Sequence, residues 1–292
     1  MSKKTWIIGG AVVVALAAGT YFVRNANSSS QATAKSTSSD EVIVLQVAHR
    51  QDYVPYGYVN EDGEADGYEV KVLEAIDEKL EGYEFEYTAT SDEDLLIGLE
   101  SGKYDIGVKG AWYTEERAEK FIIPETPIGA SIIGFTIRTE DADKYTDIDS
   151  LAAAGASLVP ISPQNAQYNV IQDYNEEHPD QPIELTESES FLVSDAYAWV
   201  LEGRYDAYFD IKLSFEAAVE AEDGAYHEYA DDLSWFAYKG IPTYPLIYRN
   251  DTNEEFAKAY EEAIAELEAD GTLAEISQEY FGENVFDFVT EE

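Results

Sequence analysis

From residue 42 onward the apolar positions switch between two periods. Val42 and Val44 open a run that reads as a buried strand. Val72, Leu73, Ile76 and Leu80 recur at helical spacing, Phe85 and Tyr87 alternate, Leu95, Leu96 and Leu99 return to helical spacing, and Ile106 and Val108 alternate again. This order predicts an α/β body with a mainly parallel sheet covered by helices. Its default ligand site is the crevice at the carboxyl ends of the strands. Near the end of the chain, Asn253 to Ala269 sets Phe256, Tyr260, Ala263, Ile264 and Leu267 on one helical face, and Gly271 closes the helix.

An internal echo refines that picture. Leu99-Glu-Ser-Gly-Lys-Tyr-Asp105 and Leu201-Glu-Gly-Arg-Tyr-Asp206 each run from a helix end through a glycine and a basic residue to Tyr-Asp and an apolar strand. Two similar α/β units are the expectation, although helix–glycine–strand junctions are common enough for coincidence to compete. Upstream, Lys3 and Lys4 precede the uncharged stretch Thr5 to Val23, and Arg24 follows it. Residues 1–24 therefore read as a signal peptide or a signal anchor, with the lysines cytoplasmic and the remainder exported. The apolar run continues past Ala15-Leu16-Ala17 to Val23, which favours the anchor. Residues 25–40 are rich in Ser and Thr and read as a flexible tether.

Charge narrows the partners. The 292 residues hold 60 Asp plus Glu against 18 Lys plus Arg, a formal net charge of −42, and four of the cations but only one of the acids precede residue 41. A chain without a basic stripe cannot displace counterions from nucleic acid, so nucleic acid is excluded, and the folded part is equally unsuited to an anionic membrane surface. Most of the acids read as solvated surface. With 22 Tyr, 12 Phe and 4 Trp the chain has ample material for a core, which argues against disorder. There is no cysteine, and the three histidines (His49, His178, His227) are widely separated, so no metal or other cofactor is expected. The acidic run Glu61, Asp62, Glu64, Asp66 lacks calcium-loop spacing and reads as surface.

Few residues carry candidate chemistry. Arg117 is one of five arginines after residue 41 and sits in Trp-Tyr-Thr-Glu-Glu-Arg, where Thr114 makes a helix N-cap. A guanidinium there suits a carboxylate; a surface salt bridge is the competing reading. Asp210 follows Ala207, Tyr208 and Phe209 at a strand end, where a carboxylate facing the crevice can hold an ammonium. Tyr53, Tyr56 and Tyr58 follow the first strand and either stack on a ligand or pack beneath their loop. Ser162-Pro163-Gln164-Asn165 opens a helix whose free N–H groups can take a carboxylate or simply be capped. No nucleophile elbow or phosphate loop is present.

With these residues in place, the body resembles the family 3 extracellular solute-binding proteins, the receptors of polar amino-acid ABC importers. The likeness rests on Tyr53-Val-Pro-Tyr-Gly-Tyr-Val-Asn-Glu-Asp-Gly-Glu-Ala-Asp-Gly-Tyr-Glu-Val70, on Leu99 to Ile106, on Thr114-Glu-Glu-Arg-Ala118, and on Leu267 to Ala274 with Tyr280-Phe281-Gly282. It implies a two-lobed fold of periplasmic-binding-protein type II, with two hinge crossings and a ligand cleft. The crossings would fall near Phe135 to Arg138 and Gly240 to Leu246. Lobe 1 would then combine residues 41–136 with 245–292, and lobe 2 would span 137–244.

By the same resemblance Arg117 clamps the ligand α-carboxylate with backbone groups of Gly110 and Trp112. Asp210 holds the α-ammonium, Tyr53 stacks on the ligand, and Ser162 and Gln164 close over the carboxylate. This chain departs from the family's pattern at several points. Lys109 stands where many members have Gly or Ser, Arg50 where binders of cationic amino acids have an acid, and the usual aromatic near Asp92 is missing. Ile161-Ser162-Pro163 also replaces the usual Gly-Thr-Thr. Two cations beside the pocket argue against a cationic ligand. His49-Arg50 is similar to the glutamate/aspartate receptors, whereas Leu80 to Phe85 and Glu119 to Pro124 are similar to the cystine-type receptors. The resulting expectation is a monomeric, non-enzymatic, extracytoplasmic receptor that delivers a polar non-cationic amino acid to an ABC permease. An exported dehydratase or a sensor input module on the same fold are the alternatives.

Overall fold

A computed structural model of the chain describes residues 42–163, 166–187 and 193–289. The expected signal or anchor segment, the tether and Gln164 lie outside them. Strand β1 (Ile43–Arg50) leads through β2 (Asp52–Tyr53), β3 (Gly57–Val59) and β4 (Ala65–Asp66) into helix α1 (Tyr68–Lys79). Next come β5 (Tyr83–Thr90), α2 (Asp92–Glu100), β6 (Ile106–Trp112), α3 (Glu115–Lys120) and β7 (Gly129–Arg138). Helices α4 (Ile148–Ala154), α5 (Ala166–Glu177) and α6 (Val193–Leu201) precede β8 (Ala207–Ile211) and the short α7 (Lys212–Phe215). The long β9 (Leu233–Ile247) is followed by α8 (Asp251–Asp270) and α9 (Thr272–Phe281).

The helical spacings fold as their patterns require. Val72, Leu73 and Ile76 of α1 and Phe256, Tyr260, Ala263, Ile264 and Leu267 of α8 pack with Leu45, Val47 and Ile106 in one core. Each large apolar side chain withdrawn there contributes about 1.5–3 kcal/mol. In β1 the buried residues are Leu45, Val47, Ala48 and His49, while Val44, like Val42 just before the strand, is exposed. The strand was legible, but its buried face begins one residue later than the first valines suggest.

The expectation of a mainly parallel sheet needs correction. The six-stranded sheet has the order β5-β1-β6-β9-β7-β8. Only β5, β1 and β6 pair in parallel; β6 with β9, β9 with β7, and β7 with β8 are antiparallel. The cause is β9, which returns through the whole sheet: its start pairs with the end of β7, and Thr243 to Ile247 pair with β6. The long strands also change cores along their length. Ala130 and Ile132 of β7 pack with Val285, whereas Ile133, Phe135 and Ile137 belong to a second core with Leu151, Ile171 and Phe209.

The internal echo is real and can be followed bond by bond. Gly102 and Gly203 take left-handed φ values of 71° and 69°. Lys103 N–H bonds the Gly98 carbonyl and Arg204 N–H that of Trp199, both at 2.8 Å. Asp105 then exchanges two bonds with Gln46, its N–H reaching the Gln46 carbonyl and its Oδ2 accepting the Gln46 N–H. Asp206 repeats both bonds with Ser157. This register matches Leu99 with Val200, so Leu201 corresponds to Glu100.

Candidate functional site

The parallel strands β5, β1 and β6 lie side by side, so the segments leaving their carboxyl ends are gathered at one edge. Asp92 opens α2 just after β5, Arg50 ends β1, and Lys109 lies toward the end of β6. Lys109 Nζ sits 2.6 and 2.7 Å from the two Asp92 oxygens. Arg50 reaches Asp52 at 3.0 Å and Asp92 at 3.7 Å. The register of β6 shifts between Gly107 and Ala111, a bulge that re-aims Lys109 and Gly110. Gly110 has φ +65°, and a Cβ there would come within 3.0 Å of the Tyr53 ring.

Tyr53 ties the group together. Its ring stacks on Tyr56 at 5.1 Å, and the Arg50 guanidinium lies 5.0 Å from its centroid. Burial pushes its hydroxyl up to about 12, reinforced by Glu69, Asp210 and Asp92 and opposed by Arg50. The charge of Asp210 on β8 thus acts on the Tyr53 hydroxyl, as those of Arg50 and Asp92 do. Tyr56 packs beneath the loop instead, its hydroxyl donating to Ser131 Oγ at 2.9 Å.

Arg117 sits in the first turn of α3, where the Thr114 side chain accepts its N–H. Its Nη1 donates to the Trp112 carbonyl at 2.5 Å. Among the described residues no carboxylate lies within ion-pair distance of it. Burial pulls its guanidinium below the ordinary arginine value, against the opposite influence of Asp92 and Glu116. Other arginines are spent on the fold. Arg138 bonds the carbonyls of Val200 and Tyr205 and pairs with Asp141, and Arg249 bonds those of Ala118 and Phe121. Arg204 lies over the Trp199 ring. A recess of about 580 Å³ at the end of β7, bordered by Arg138 and Tyr229, lies apart from this group.

On β8, at the other edge of the sheet from β5, Asp210 is buried. Its Oδ1 accepts the Ile211 N–H at 2.7 Å and faces the Gln167 amide at 3.4 Å. Burial pushes the carboxyl up to about 6, opposed by the Ile211 N–H and the Tyr208 and Ser214 hydroxyls. Trp112 of β6 packs against the second core, which contains Phe209. Ser162 lies half-buried in the segment before α5 (Ala166–Glu177).

A profile of the bacterial extracellular solute-binding proteins, family 3, matches residues 45–283. The chain belongs to this family. The L-cystine-binding protein TcyJ of Bacillus subtilis is 27% identical over 233 residues, covering 79% of this chain and 81% of that protein. The probable amino-acid-binding protein YxeM of the same organism is 26% identical over 289 residues, 98% of each chain. Among solved structures, the unliganded, open L-cystine receptor of Neisseria gonorrhoeae superposes with a TM-score of 0.59 at 21% identity, over 86% of this chain and 97% of that one. The fold is therefore the two-lobed α/β fold of periplasmic solute-binding proteins. The relatives are binding proteins and not enzymes, which removes the dehydratase reading.

Within this solute-binding protein, three residues join the site that sequence reasoning did not assign to it. Glu69 of α1 is fully buried and accepts the Gly110 N–H at 2.9 Å, so that N–H is engaged inside the chain. Burial pushes its carboxyl up to about 8, against the Gly110 N–H, the Thr243 hydroxyl and the Lys109 charge. In sequence Asp92 stands out only for the missing aromatic beside it, and Gln167 not at all. Their signal was positional: an acid in the Gly-Tyr-Glu motif, an acid at a helix start beside a strand end, and a glutamine in the first turn of a helix.

Proposed function

We propose that this chain is the extracytoplasmic substrate-binding component of an amino-acid ABC importer. It closes its two lobes around a polar, non-cationic amino acid of the glutamate/aspartate or cystine type and acts as a monomer that delivers it to a permease. The N-terminal segment tethers it to the membrane or is cleaved as a signal. Lobe 1 comprises residues 41–136 and 245–292, and lobe 2 residues 137–244. The observation that carries this reading is a half-buried Arg117 without a carboxylate partner among the described residues, together with a buried Asp210 carboxyl whose charge, like those of Arg50 and Asp92, acts on the Tyr53 hydroxyl. An α-carboxylate supplies what Arg117 lacks, and an α-ammonium what Asp210 can accept. The names of the cystine and amino-acid-binding relatives support the same class.

In this reading Arg117 clamps the carboxylate and Asp210 holds the ammonium. Tyr53, Gly110 and Trp112 shape the wall, Ser162 and Gln164 close from the second lobe, and Arg50 and Lys109 face the side chain. A charge-assisted contact of this kind contributes about 1.5–3 kcal/mol, enough to bias a hinge. The test is calorimetric titration with amino acids of Arg117→Ala beside the unaltered chain. Loss of about tenfold to a hundredfold in affinity with an unchanged melting temperature is expected. Retained affinity would remove Arg117 from the clamp.

A further inference from the structure

We propose that Lys212 is a positioning residue for Asp210: its ion pairs seat helix α7, and through α7 the Asp210 carboxyl, against the first lobe. The inference rests on the receptor reading and the lobe division above, and it adds a residue that sets affinity from outside the ligand wall. Helix α7 is four residues long and follows β8 directly, so Asp210 stands two residues before its first residue, Lys212. A helix this short has no stability of its own and takes its place from its contacts. Asp210 Oδ1 accepts the N–H of Ile211, the residue that opens α7, at 2.7 Å. The placement of α7 therefore sets where that carboxyl points.

The contacts of α7 face both lobes. Phe215 is buried with Tyr197 and Tyr208 in the second lobe. Leu213 instead packs against the core of the first lobe, which holds Leu45, Val72 and Phe256. Lys212 crosses the same division: its Nζ bonds Glu283, just past α9, and lies 3.4 Å from Glu216 on its own side. Glu283 is itself held in place. The Ser277 hydroxyl donates to its carbonyl at 2.8 Å and accepts the Val285 N–H at 2.9 Å. Where the two sides meet, Leu213, Tyr56 and Phe281 border a gap of about 10 Å³, too small for more than a single water. Phe281 meets the Tyr56 ring at 5.2 Å, and Tyr56 stacks on Tyr53. The seat of α7 thus backs on the aromatic pair at the ligand wall. With 27% of the Lys212 side chain exposed, its ion pairs are less screened than pairs in open solvent. Contacts that favour the closed arrangement raise ligand affinity by the factor by which they populate it. Lys212 does so through Asp210, without touching the ligand.

The test is calorimetric titration of the full chain with L-cystine and with L-glutamate, unaltered and as Lys212→Met, Lys212→Arg and Glu283→Gln. Lys212→Met and Glu283→Gln should each weaken the tighter-binding probe by about tenfold, with a melting temperature lowered by no more than a few degrees. Lys212→Arg keeps the charge and should stay within about threefold of the unaltered chain. Action through Asp210 is read from a double-mutant cycle: with Asp210→Asn already present, Lys212→Met should cost no more than about twofold further. Where Asp210→Asn abolishes measurable binding, the contrast between Lys212→Met and Lys212→Arg decides; where Lys212→Met fails to fold, Glu283→Gln decides. Losses that multiply in full would mean that Lys212 acts independently of Asp210. A lower melting temperature at unchanged affinity would make the ion pairs a support of the fold alone. Either result would overturn the assignment and leave the receptor reading standing. Binding of neither probe by the unaltered chain would sink both.

Discussion

Gly110 concentrates several demands in one residue. Its φ of +65° is a left-handed conformation, its N–H is held by the buried Glu69, and the Tyr53 ring lies where a side chain would go. Gly110→Ala should cost about 1–2 kcal/mol from the backbone alone, and it should also push Tyr53 out of register with Arg50. The expected result is a lower melting temperature together with an affinity loss of about tenfold, read by thermal unfolding and titration. Unchanged affinity would show that the Tyr53 position does not matter to the ligand. Residue-scale legibility was uneven for a physical reason. Arg117 was legible as a rare cation in a capped helix start, but in sequence it resembled every other arginine. Only the structure shows Arg138 and Arg249 consumed by backbone carbonyls and Arg204 by an aromatic face. Glu69 and Asp92 were hidden by abundance, since 60 acids offer no reason to choose these two.

Elements were more legible than residues, because periodicity reports burial directly. Helices α1, α2 and α8 and strands β5 and β6 follow the apolar spacing, and the echoed turns proved to be the same hydrogen-bonded device used twice. Strand direction escaped the pattern. An alternating run does not reveal whether its strand crosses back, so β9 was invisible as the element that makes half of the sheet antiparallel. The turns give an element-scale prediction. Asp105 accepts the Gln46 N–H at 2.9 Å and the Asn253 amide at 3.1 Å, holding β1, β6 and the start of α8 together. Asp105→Ala leaves the Gln46 N–H unpaired in a partly buried place and the Asn253 amide with the Tyr248 carbonyl alone, a loss of about 1–3 kcal/mol. Chemical denaturation should show a lower midpoint with an unchanged slope. A midpoint equal to that of the unaltered chain would mean that water replaces the carboxylate there.

The whole molecule carries a charge of −42, and its buried acids make the response to pH predictable in sign. Burial raises Glu69 from an ordinary value of 4.5 to about 8 and Asp210 from 3.8 to about 6. A carboxyl raised in the folded state keeps its proton there while the unfolded chain releases it. The unfolded state then binds fewer protons, and stability falls as pH rises from the unfolded value through the folded one. The window is therefore about pH 4.5 to 8 for Glu69 and about pH 4 to 6 for Asp210. Asp270 is lowered to about 2 by its bonds to Thr272 and Lys79 and acts oppositely, but only below about pH 4. Self-repulsion among the surface carboxylates adds a salt-sensitive penalty once they are ionised. For the ligand-free chain, the melting temperature should peak near pH 4 and fall by several degrees by pH 8, at about 2–4 °C per kcal/mol for a chain of this size. Added sodium chloride should recover part of the loss at pH 8. Glu69→Gln removes the titration while keeping an acceptor for the Gly110 N–H, so it should flatten the fall between pH 6 and 8. A melting temperature that rises over that range, or a slope that Glu69→Gln leaves intact, would place the control of stability elsewhere in the charge distribution.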